Sequence, residues 1–524
     1  MNTRVHAIAG FVLACLLFSL QHWSGKPVFN PHESASALHF DEAVLYAPGA
    51  RRFADTGVPA WELDVIELRD ERFAYPVTHQ IVLGTLARLV GGVERAFVIA
   101  HTLFPACVWL GFFGLVVVST RNAALSSAAA WVAILAAAAP RNAVLLGSQA
   151  LIQPLEMCRT PHPSLSTLLL LLVLGGLLQC ITTRQRAWPW LTGVALGLLF
   201  YSYYFHAVAA WTAAGALLLF AWRRMGAAVL TGLVVAAPYF QWTMNSMRSG
   251  NSRQLMERIG SFERTPDWLA LAGLVVCVFC FFRLRSQLPA NDRRRAVMWL
   301  LTALLAGACV VANLHLITGY NAQHEHAYNR IIQPFGVLLV ALIIPSAAVT
   351  RWLPQAAALL LLTLAAVRQV KVAALDPPAA PAALGVLAQQ DGELVVGVLD
   401  EPTRALLPVL TKHWSFVPMA FRTLASNEEI LTRFVIVAKL GGMTKAAALE
   451  MIRKLGARSY CYGLLDDVVL KPADAQRFDR IWDSLDPAQA LQTRRLDVLV
   501  LPEGKIPAGS AFTPLAPGVF KLLR

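Results

Sequence analysis

Charged residues are scarce in this chain of 524 residues: only 15% are Asp, Glu, Lys or Arg, against roughly 25% in an ordinary soluble domain. Hydrophobic residues make up 56% of the sequence, and its mean hydropathy is +0.54. A soluble protein of this composition would lack the polar surface that it needs to face water. Apolar runs of about 16 to 22 residues recur along the chain, as membrane helices require. The sequence therefore predicts a polytopic α-helical membrane protein.

Acidic residues are outnumbered, with 32 Asp and Glu against 45 Lys and Arg, which gives a formal net charge of +13. Such an excess can indicate nucleic-acid binding. Here the arginines fall in short clusters between apolar runs, without a basic stripe or a nucleic-acid motif. Clusters of this kind follow the positive-inside rule of membrane proteins. We therefore expect a lipid bilayer as a partner and no nucleic acid.

Nucleotide motifs and internal repeats are also missing. The sequence has no GxGxxG and no P-loop, so we assign it no nucleotide. It shows no repeat that would indicate an inverted-repeat transporter. Ionisable residues are almost absent from the predicted spans, whereas proton- or ion-coupled transporters usually need them near the middle of the membrane. This pattern favours chemistry at the outer interface over transport through the bilayer.

We predict about eleven membrane spans from the apolar runs. They lie near 7–20, 95–119, 124–139, 165–182, 189–204, 206–222, 226–242, 268–283, 297–317, 331–349 and 353–370. The first span has no small-residue cleavage site at the usual distance, so we interpret it as uncleaved. Arginine clusters occupy the loops on one side, which we assign to the cytoplasm together with the N-terminus. The outer loops, at 21–94, 140–164, 243–267 and 318–330, are mixed in charge and contain most of the histidines.

The chain changes character after residue 370. A Pro/Ala-rich linker at 371–385 separates the transmembrane domain, 1–370, from a segment of soluble composition at 386–524. Predicted strands at 393–399, 459–464 and 497–501 alternate with predicted helices at 444–455 and 472–485. Alternation of this kind predicts a small α/β domain. An odd number of spans places this domain on the periplasmic side, together with the outer loops.

The first outer loop is the most acid-rich part of the chain. Asp41 either caps a helix that runs to about Asp55, or acts as a carboxylate general base or as a ligand of a divalent metal ion. Glu42 is either its partner or a solvated residue. We expect Arg52 on a solvated helix face, with phosphate binding as the alternative. Residues 77–90 have apolar positions at helical spacing, which predicts an amphipathic helix lying in the membrane interface.

Three motifs of this loop resemble the first lumenal loop of the glycosyltransferase-C superfamily. They are His39-Phe-Asp-Glu-Ala-Val-Leu-Tyr46, Ala50-Arg-Arg-Phe-Ala-Asp-Thr-Gly57, and Tyr75-Pro76 before an apolar helix. The resemblance covers about residues 1–350. It implies a polyprenyl-phosphate sugar as donor, a catalytic acid at Asp41, and a soluble domain on the same face of the membrane.

The second outer loop, 140–164, and the loop at 318–330, which is the third with candidate site residues, resemble other segments of the same superfamily. In the second, Glu156 is a candidate second acid and Arg159 a candidate phosphate contact, unless the neighbouring prolines only order a re-entrant loop. In the third, Arg330 precedes an apolar span and is a candidate for bidentate binding of the lipid phosphate, or an interfacial anchor. His324 and His326 are candidate metal ligands, although His-x-His alone is also common without a metal.

These observations predict a membrane glycosyltransferase at the periplasmic face of a bacterial inner membrane. Its donor would be a polyprenyl-phosphate sugar, and its acceptor would be a lipid, a glycan or a protein. The alternative is a lipid-linked glycan flippase, or a non-catalytic subunit of envelope glycan assembly, built on the same scaffold.

Overall fold

The computed structural model describes most of the chain. The described residues are 3–25, 28–29, 45–71, 76–136, 159–183, 185–248, 250–259, 262, 264–286, 292–321, 325–343, 352–374, 381–420, 422–454, 465–466, 469–470, 472–508 and 511–523.

Apolar helices dominate the first 374 residues. Five of them are long and apolar enough to cross a membrane: Thr3–His22, Val93–Thr120, Ser164–Thr182, Tyr204–Met247 and Arg293–Thr318. Shorter apolar helices cover Ala123–Leu135, Ala187–Tyr201, Trp268–Leu284, Tyr328–Ile343 and Gln355–Val367. Their buried faces share one large apolar core. The multi-span helical class is therefore confirmed, whereas the predicted number of spans remains a prediction.

The 44-residue helix Tyr204–Met247 is a hairpin rather than a straight rod. Its backbone leaves the helical region at Ala221 (φ −133°, ψ 42°). A straight helix would place Trp211 and Gly232 roughly 30 Å apart along its axis. Instead, the Trp211 ring lies 3.0 Å from the position that a Cβ on Gly232 would occupy. The helix therefore folds back on itself, and its arms correspond to the predicted spans 206–222 and 226–242.

The described part of the first outer loop contains two short α-helices and the 3-10 turn Ile66–Leu68. The α-helices cover Ala47–Thr56 and Thr78–Val90, and each ends at a glycine with positive φ, Gly57 and Gly91. Glycine is favoured there because a Cβ is strained in the left-handed region. The second helix agrees with the predicted 77–90. It packs closely against the first through Gly84, where a Cβ would lie 2.7 Å from the Ala50 carbonyl oxygen.

The C-terminal segment contains a five-stranded mixed sheet in the order β2-β1-β5-β7-β6. The strands are β1 (Val395–Gly397), β2 (Trp414–Ser415), β3 (Leu465–Asp466), β4 (Val469–Leu470), β5 (Val498–Val500), β6 (Phe512–Ala516) and β7 (Val519–Leu522). Strand β1 pairs in parallel with β2 and β5, β7 pairs antiparallel with β5 and β6, and β3 and β4 form a separate hairpin. The helices cover Ala382–Ala388, Glu401–Leu410, Asn427–Leu440, Lys445–Lys454, Pro472–Ser484 and Pro487–Ala490. The predicted strand at 459–464 lies outside the described residues.

The first outer loop and the C-terminal segment share a hydrophobic core. Ala50 and Leu83 of the loop belong to the same buried cluster as Leu387, Val396 and Val498. Part of the predicted linker is also helical, because the helix Trp352–Ala374 extends into it and Ala382–Ala388 begins within it. The C-terminal segment is therefore packed onto the outer loop rather than tethered beside it.

A buried ion pair joins the same two parts of the chain. The Arg422 guanidinium donates to both carboxylate oxygens of Asp64, at 2.8 and 2.7 Å, and the two side chains are only 2% and 0% exposed. Asp64 also accepts from the backbone N–H of Met419 at 2.9 Å. The neighbouring Glu62 accepts from the backbone N–H groups of Val65 and Leu424, at 3.0 and 2.7 Å. The loop is thus bonded to the C-terminal segment at several buried points.

Arg52 belongs to this interface, and its predicted position on a solvated helix face is wrong. The residue is 4% exposed. Its guanidinium lies 3.7 Å above the Trp414 ring and donates to the carbonyl oxygens of Lys412 and His413, at 3.1 and 3.2 Å. It also pairs with Glu393 at 3.3 Å. These partners, more than 340 residues away in sequence, engage both terminal nitrogens of the Arg52 guanidinium, which a phosphate would otherwise contact.

Asp64→Asn should lower the free energy of unfolding by about 3–5 kcal/mol, because it leaves the Arg422 charge buried without its counter-ion. Thermal unfolding in detergent micelles measures this loss. Asp70→Asn is the control, because the Asp70 side chain is 95% exposed and belongs to the same loop. Equal stability of the two variants would show that the buried pair does not hold the loop.

Candidate active site

Histidine and tyrosine rings gather at the outer ends of the helices. The cluster comprises Tyr46, His79, His162, Tyr203, His206 and His326. We call it the outer cluster. Four of its rings come from the three outer loops in which the sequence predicts site residues, 21–94, 140–164 and 318–330.

Local structure explains how the rings converge. His79 lies in the first turn of the helix Thr78–Val90, and His162 directly precedes the helix Ser164–Thr182. Tyr203 occupies a two-residue break between helices and lies just before the hairpin helix that begins at Tyr204. Thr78 donates a hydrogen bond to the Tyr201 carbonyl oxygen at 2.9 Å, which fixes the first outer loop beside this break.

Tyr203 lies at the centre of the outer cluster. Its ring stacks on His162, with centroids 4.8 Å apart, and meets the edge of His206 at 4.9 Å. Its hydroxyl is 2.8 Å from Nδ1 of His326 and accepts a hydrogen bond from the Arg330 guanidinium. The Arg330 guanidinium also lies 5.2 Å from the ring centroid, a cation–π distance. One tyrosine therefore contacts a cation and three imidazoles.

Tyr46 brings the first outer loop into the outer cluster. Its ring is 5.1 Å from His79 and 5.3 Å from His162, and these two imidazoles are 5.9 Å apart. Tyr46 follows the acidic pair Asp41–Glu42 by four residues. The loop that contains the predicted catalytic acids is therefore anchored at the outer cluster by an aromatic residue close to them in sequence.

Burial and nearby cations keep the imidazoles neutral. Burial lowers the pKa of His79 to about 3. The pKa of His162 lies well below its ordinary value, first because of burial and then because of His79 and Arg330. For His326 the pKa is lowered by burial, then by Arg330 and Arg159. Two arginines thus make the local potential positive, which favours an anion and disfavours a third cation.

Three of the residues predicted from sequence lie in or beside the outer cluster. Arg330 is 3% exposed, His326 bonds to Tyr203, and Arg159 is close enough to His326 to depress its pKa. Arg52 lies in the interface described above. The other predicted residues, Asp41, Glu42, Glu156 and His324, are outside the described part of the chain, and their roles stay predictions.

The metal prediction concerns His324 and His326. Nδ1 of His326 is engaged by the Tyr203 hydroxyl, which leaves Nε2 as its available ligand atom. Among the described residues no group of three or more His, Cys, Asp or Glu side chains has the geometry of a metal site. The described donor set does not fit a metal by itself, so no step proposed below is routed through one, and the His324 and His326 pair stays a prediction.

Tyr203, His206 and Tyr46 are not among the site residues predicted from the sequence. A signal for them exists in the aromatic run Tyr201-Ser202-Tyr203-Tyr204, which precedes a span by a very short turn. Aromatic residues at membrane interfaces are common, however, because their amphipathic rings suit the headgroup region. Only the fold shows that the Tyr203 hydroxyl meets Arg330, 127 positions away.

The contribution of His79 to stability should fall as the pH drops from 7 to 5. Its pKa is about 3 in the folded chain and about 6.5 in an unfolded one. The unfolded state therefore binds more protons in this interval, and the histidine contributes a loss of about 1–2 kcal/mol. Thermal unfolding of wild type and His79→Gln at both pH values measures it. Between pH 7 and 5 the His79→Gln variant should lose less stability than wild type. The control His6→Gln, outside the outer cluster, should lose as much stability as wild type. Identical pH profiles for wild type and His79→Gln would contradict the assignment.

Comparison with known proteins gives structural neighbours only. No protein-family model and no curated protein matches the sequence. Two similar solved structures are crystal structures of ArnT from Cupriavidus metallidurans, one bound to undecaprenyl phosphate and one in the apo state. The first is 16% identical and covers 78% of this chain and 84% of that chain, with a TM-score of 0.41. The second is 17% identical and covers 79% and 86%, with a TM-score of 0.43.

Proposed function

We propose that the protein is a membrane glycosyltransferase. It moves a sugar from a polyprenyl-phosphate donor to an acceptor at the periplasmic face of a bacterial inner membrane, and its N-terminus is cytoplasmic. The observation that carries the proposal is the buried Arg330, held against Tyr203 at the outer ends of the apolar helices. The sequence motifs of the first outer loop support the same reading of the site.

Arg330 suits the phosphate of a lipid-linked donor. A guanidinium presents several N–H donors in a planar fork and stays charged when it is buried, so it can bind phosphate oxygens in pairs. Arg330 lies in the π-helical turn Tyr328–Ile332, directly before the apolar helix Gln333–Ile343. This is where a lipid headgroup meets the end of a membrane helix. Arg159 adds a second positive charge to the same site.

The proposed reaction is a displacement at the anomeric carbon of the donor sugar. An acceptor hydroxyl attacks this carbon, and the bond from the carbon to the phosphate oxygen breaks. Asp41 takes the hydroxyl proton as general base, with Glu42 beside it and Glu156 as a second acid. The polyprenyl phosphate leaves with the electron pair of the broken bond. Arg330 and Arg159 stabilise the charge that develops on it.

The neutral imidazoles suit this chemistry. A neutral histidine both donates and accepts a hydrogen bond, so it can bind sugar hydroxyls without adding charge. The aromatic faces of Tyr46 and Tyr203 offer flat apolar surfaces beside the imidazoles. The outer cluster therefore combines a phosphate-binding cation with groups that suit a sugar ring.

Arg330→Gln should reduce the retention of polyprenyl phosphate at least about tenfold, since the variant loses a charge-assisted contact of about 1.5–3 kcal/mol. Native mass spectrometry of the purified protein measures the lipid that remains bound. The control is Arg264→Gln, which removes an exposed arginine from the outer face. Only bulk phospholipid bound to wild type, or equal loss in both variants, would contradict the assignment of Arg330.

Asp41→Asn should slow sugar transfer by about 10²- to 10⁴-fold, because it removes a general base. It should leave polyprenyl-phosphate retention unchanged. The measurement is the release of polyprenyl phosphate from a purified polyprenyl-phosphate sugar by protein in its native membranes. Asp55→Asn is the matched control, since Asp55 pairs with Arg51 on the exposed side of the same loop. Unimpaired release of polyprenyl phosphate by a folded Asp41→Asn protein would exclude Asp41 as the general base. If wild type bound the lipid but released no polyprenyl phosphate, the protein would be a flippase or a non-catalytic subunit.

A further inference from the structure

A cavity of about 1,020 Å³, which we call the inner cavity, lies at the ends of the helices away from the outer cluster. It is lined by the C-terminal ends of Val93–Thr120 and Ser164–Thr182, the turn of the hairpin helix at Ala221, and the start of Arg293–Ala312. The outer cluster lies at the opposite ends of two of these elements, since it includes His162 before Ser164–Thr182, and Tyr203 and His206 at the start of the hairpin helix. The proposed transfer reaction makes no use of this cavity.

Arginines dominate its charged lining. The charged residues are Arg121, Arg223, Arg224, Arg293, Arg294 and Asp292. Five positive charges thus face one negative charge. The Asp292 carboxylate caps the following helix by accepting from the backbone N–H groups of Arg294 and Arg295, at 3.0 and 3.3 Å, and it also pairs with the Arg295 side chain. It is therefore poorly placed to neutralise the other arginines.

The five arginines differ in what they contact. Arg224 donates to the carbonyl oxygens of Cys180 and Thr183, at 3.2 and 2.6 Å, and Arg294 donates to the Leu342 carbonyl oxygen at 2.9 Å. These two arginines are therefore held in the cavity wall by hydrogen bonds to the backbone. Arg121, Arg223 and Arg293 are exposed at the mouth, and within the described part of the chain no carboxylate forms an ion pair with them.

The rim of the cavity is apolar and faces outward. Trp222 is 67% exposed, with the Arg223 guanidinium 5.4 Å from its ring, and the preceding Leu219 is 73% exposed. Such a rim at the end of membrane helices suits the boundary between acyl chains and headgroups. The positive-inside rule accounts for arginines in these loops. It does not account for five of them lining a single cavity of ligand size.

We propose that this cavity binds the phosphate headgroup of an anionic membrane lipid on the cytoplasmic face. The phosphate would be surrounded by guanidinium groups, as it is in basic pockets between membrane helices on the cytoplasmic side. Four positive charges in excess and a volume near 1,000 Å³ suit a headgroup with two phosphates better than one with a single phosphate. The exposed Trp222 rim selects a lipid over free phosphate.

The experiment uses the full-length protein in detergent micelles. Its thermal unfolding is followed while cardiolipin, phosphatidylglycerol, zwitterionic phosphatidylcholine or inorganic phosphate is added separately. The variants are the double substitution Arg223→Gln/Arg293→Gln and the control Arg186→Gln. Arg186 is an exposed arginine in a neighbouring loop outside the cavity. The two arginines changed in the double variant are bonded to no described carboxylate, so the variant should fold.

We expect cardiolipin to raise the unfolding temperature at the lowest concentration, phosphatidylglycerol to follow, and phosphatidylcholine to have no effect. The double variant should weaken the apparent affinity for cardiolipin at least about tenfold, from roughly 1 kcal/mol for each arginine, while Arg186→Gln leaves it unchanged. Equal stabilisation by inorganic phosphate would show that the cavity binds free phosphate and not the headgroup of a lipid. An affinity for cardiolipin that the double variant retains would overturn the site itself.

Discussion

The arrangement of the outer face depends on the buried pair between Asp64 and Arg422. A carboxylate and a guanidinium that are both almost fully buried must compensate each other, because either charge alone would be costly in so dry a place. Their pairing fixes one relative position of the first outer loop and the C-terminal segment. The same loop carries Tyr46 and His79 into the outer cluster. The geometry of the candidate active site is thus set by an ion pair that lies outside it.

Glu62 makes this junction sensitive to charge. Burial, together with the nearby Asp64, raises the pKa of its carboxyl to about 7, although the backbone N–H group of Leu424 favours the ionised form. A folded-state pKa above the unfolded value means that this carboxyl stabilises the fold below pH 4.5 and that the contribution is lost as the pH rises through 7. This pH dependence is opposite to that of His79, whose contribution to stability is lost as the pH falls. The two groups therefore partly balance each other in acid, one at the junction and one in the outer cluster.

Sequence alone predicted what depends on local patterns. Apolar length gave the membrane class, helical spacing gave the loop helix at 77–90, and Gly91 marked its end. Burial by segments that are distant in sequence could not be predicted from such patterns. Arg52 looks like a solvated helix residue in sequence, and its burial comes from Trp414 and two carbonyl groups contributed by a segment more than 340 residues later. Strands β6 and β7 form a local hairpin and were also missed, because β6 has only exposed and half-buried residues and so lacks an apolar run that would mark it. Arg330 and His326 were predicted as single residues, but their common partner, Tyr203, follows only from the fold.

Burial separates the roles of arginine and histidine in this protein. A buried arginine keeps its charge, as Arg52 shows: burial lowers its pKa only to about 10. A histidine buried beside arginines loses its proton instead, as His162 and His326 do. A site built from both residue types therefore has a fixed positive charge surrounded by neutral hydrogen-bonding rings at physiological pH. Such a site can hold a phosphate at one point and uncharged hydroxyls around it without changing its protonation. The inner cavity is lined by five arginines and no histidine, so it offers a fixed positive charge, which suits the binding of a headgroup.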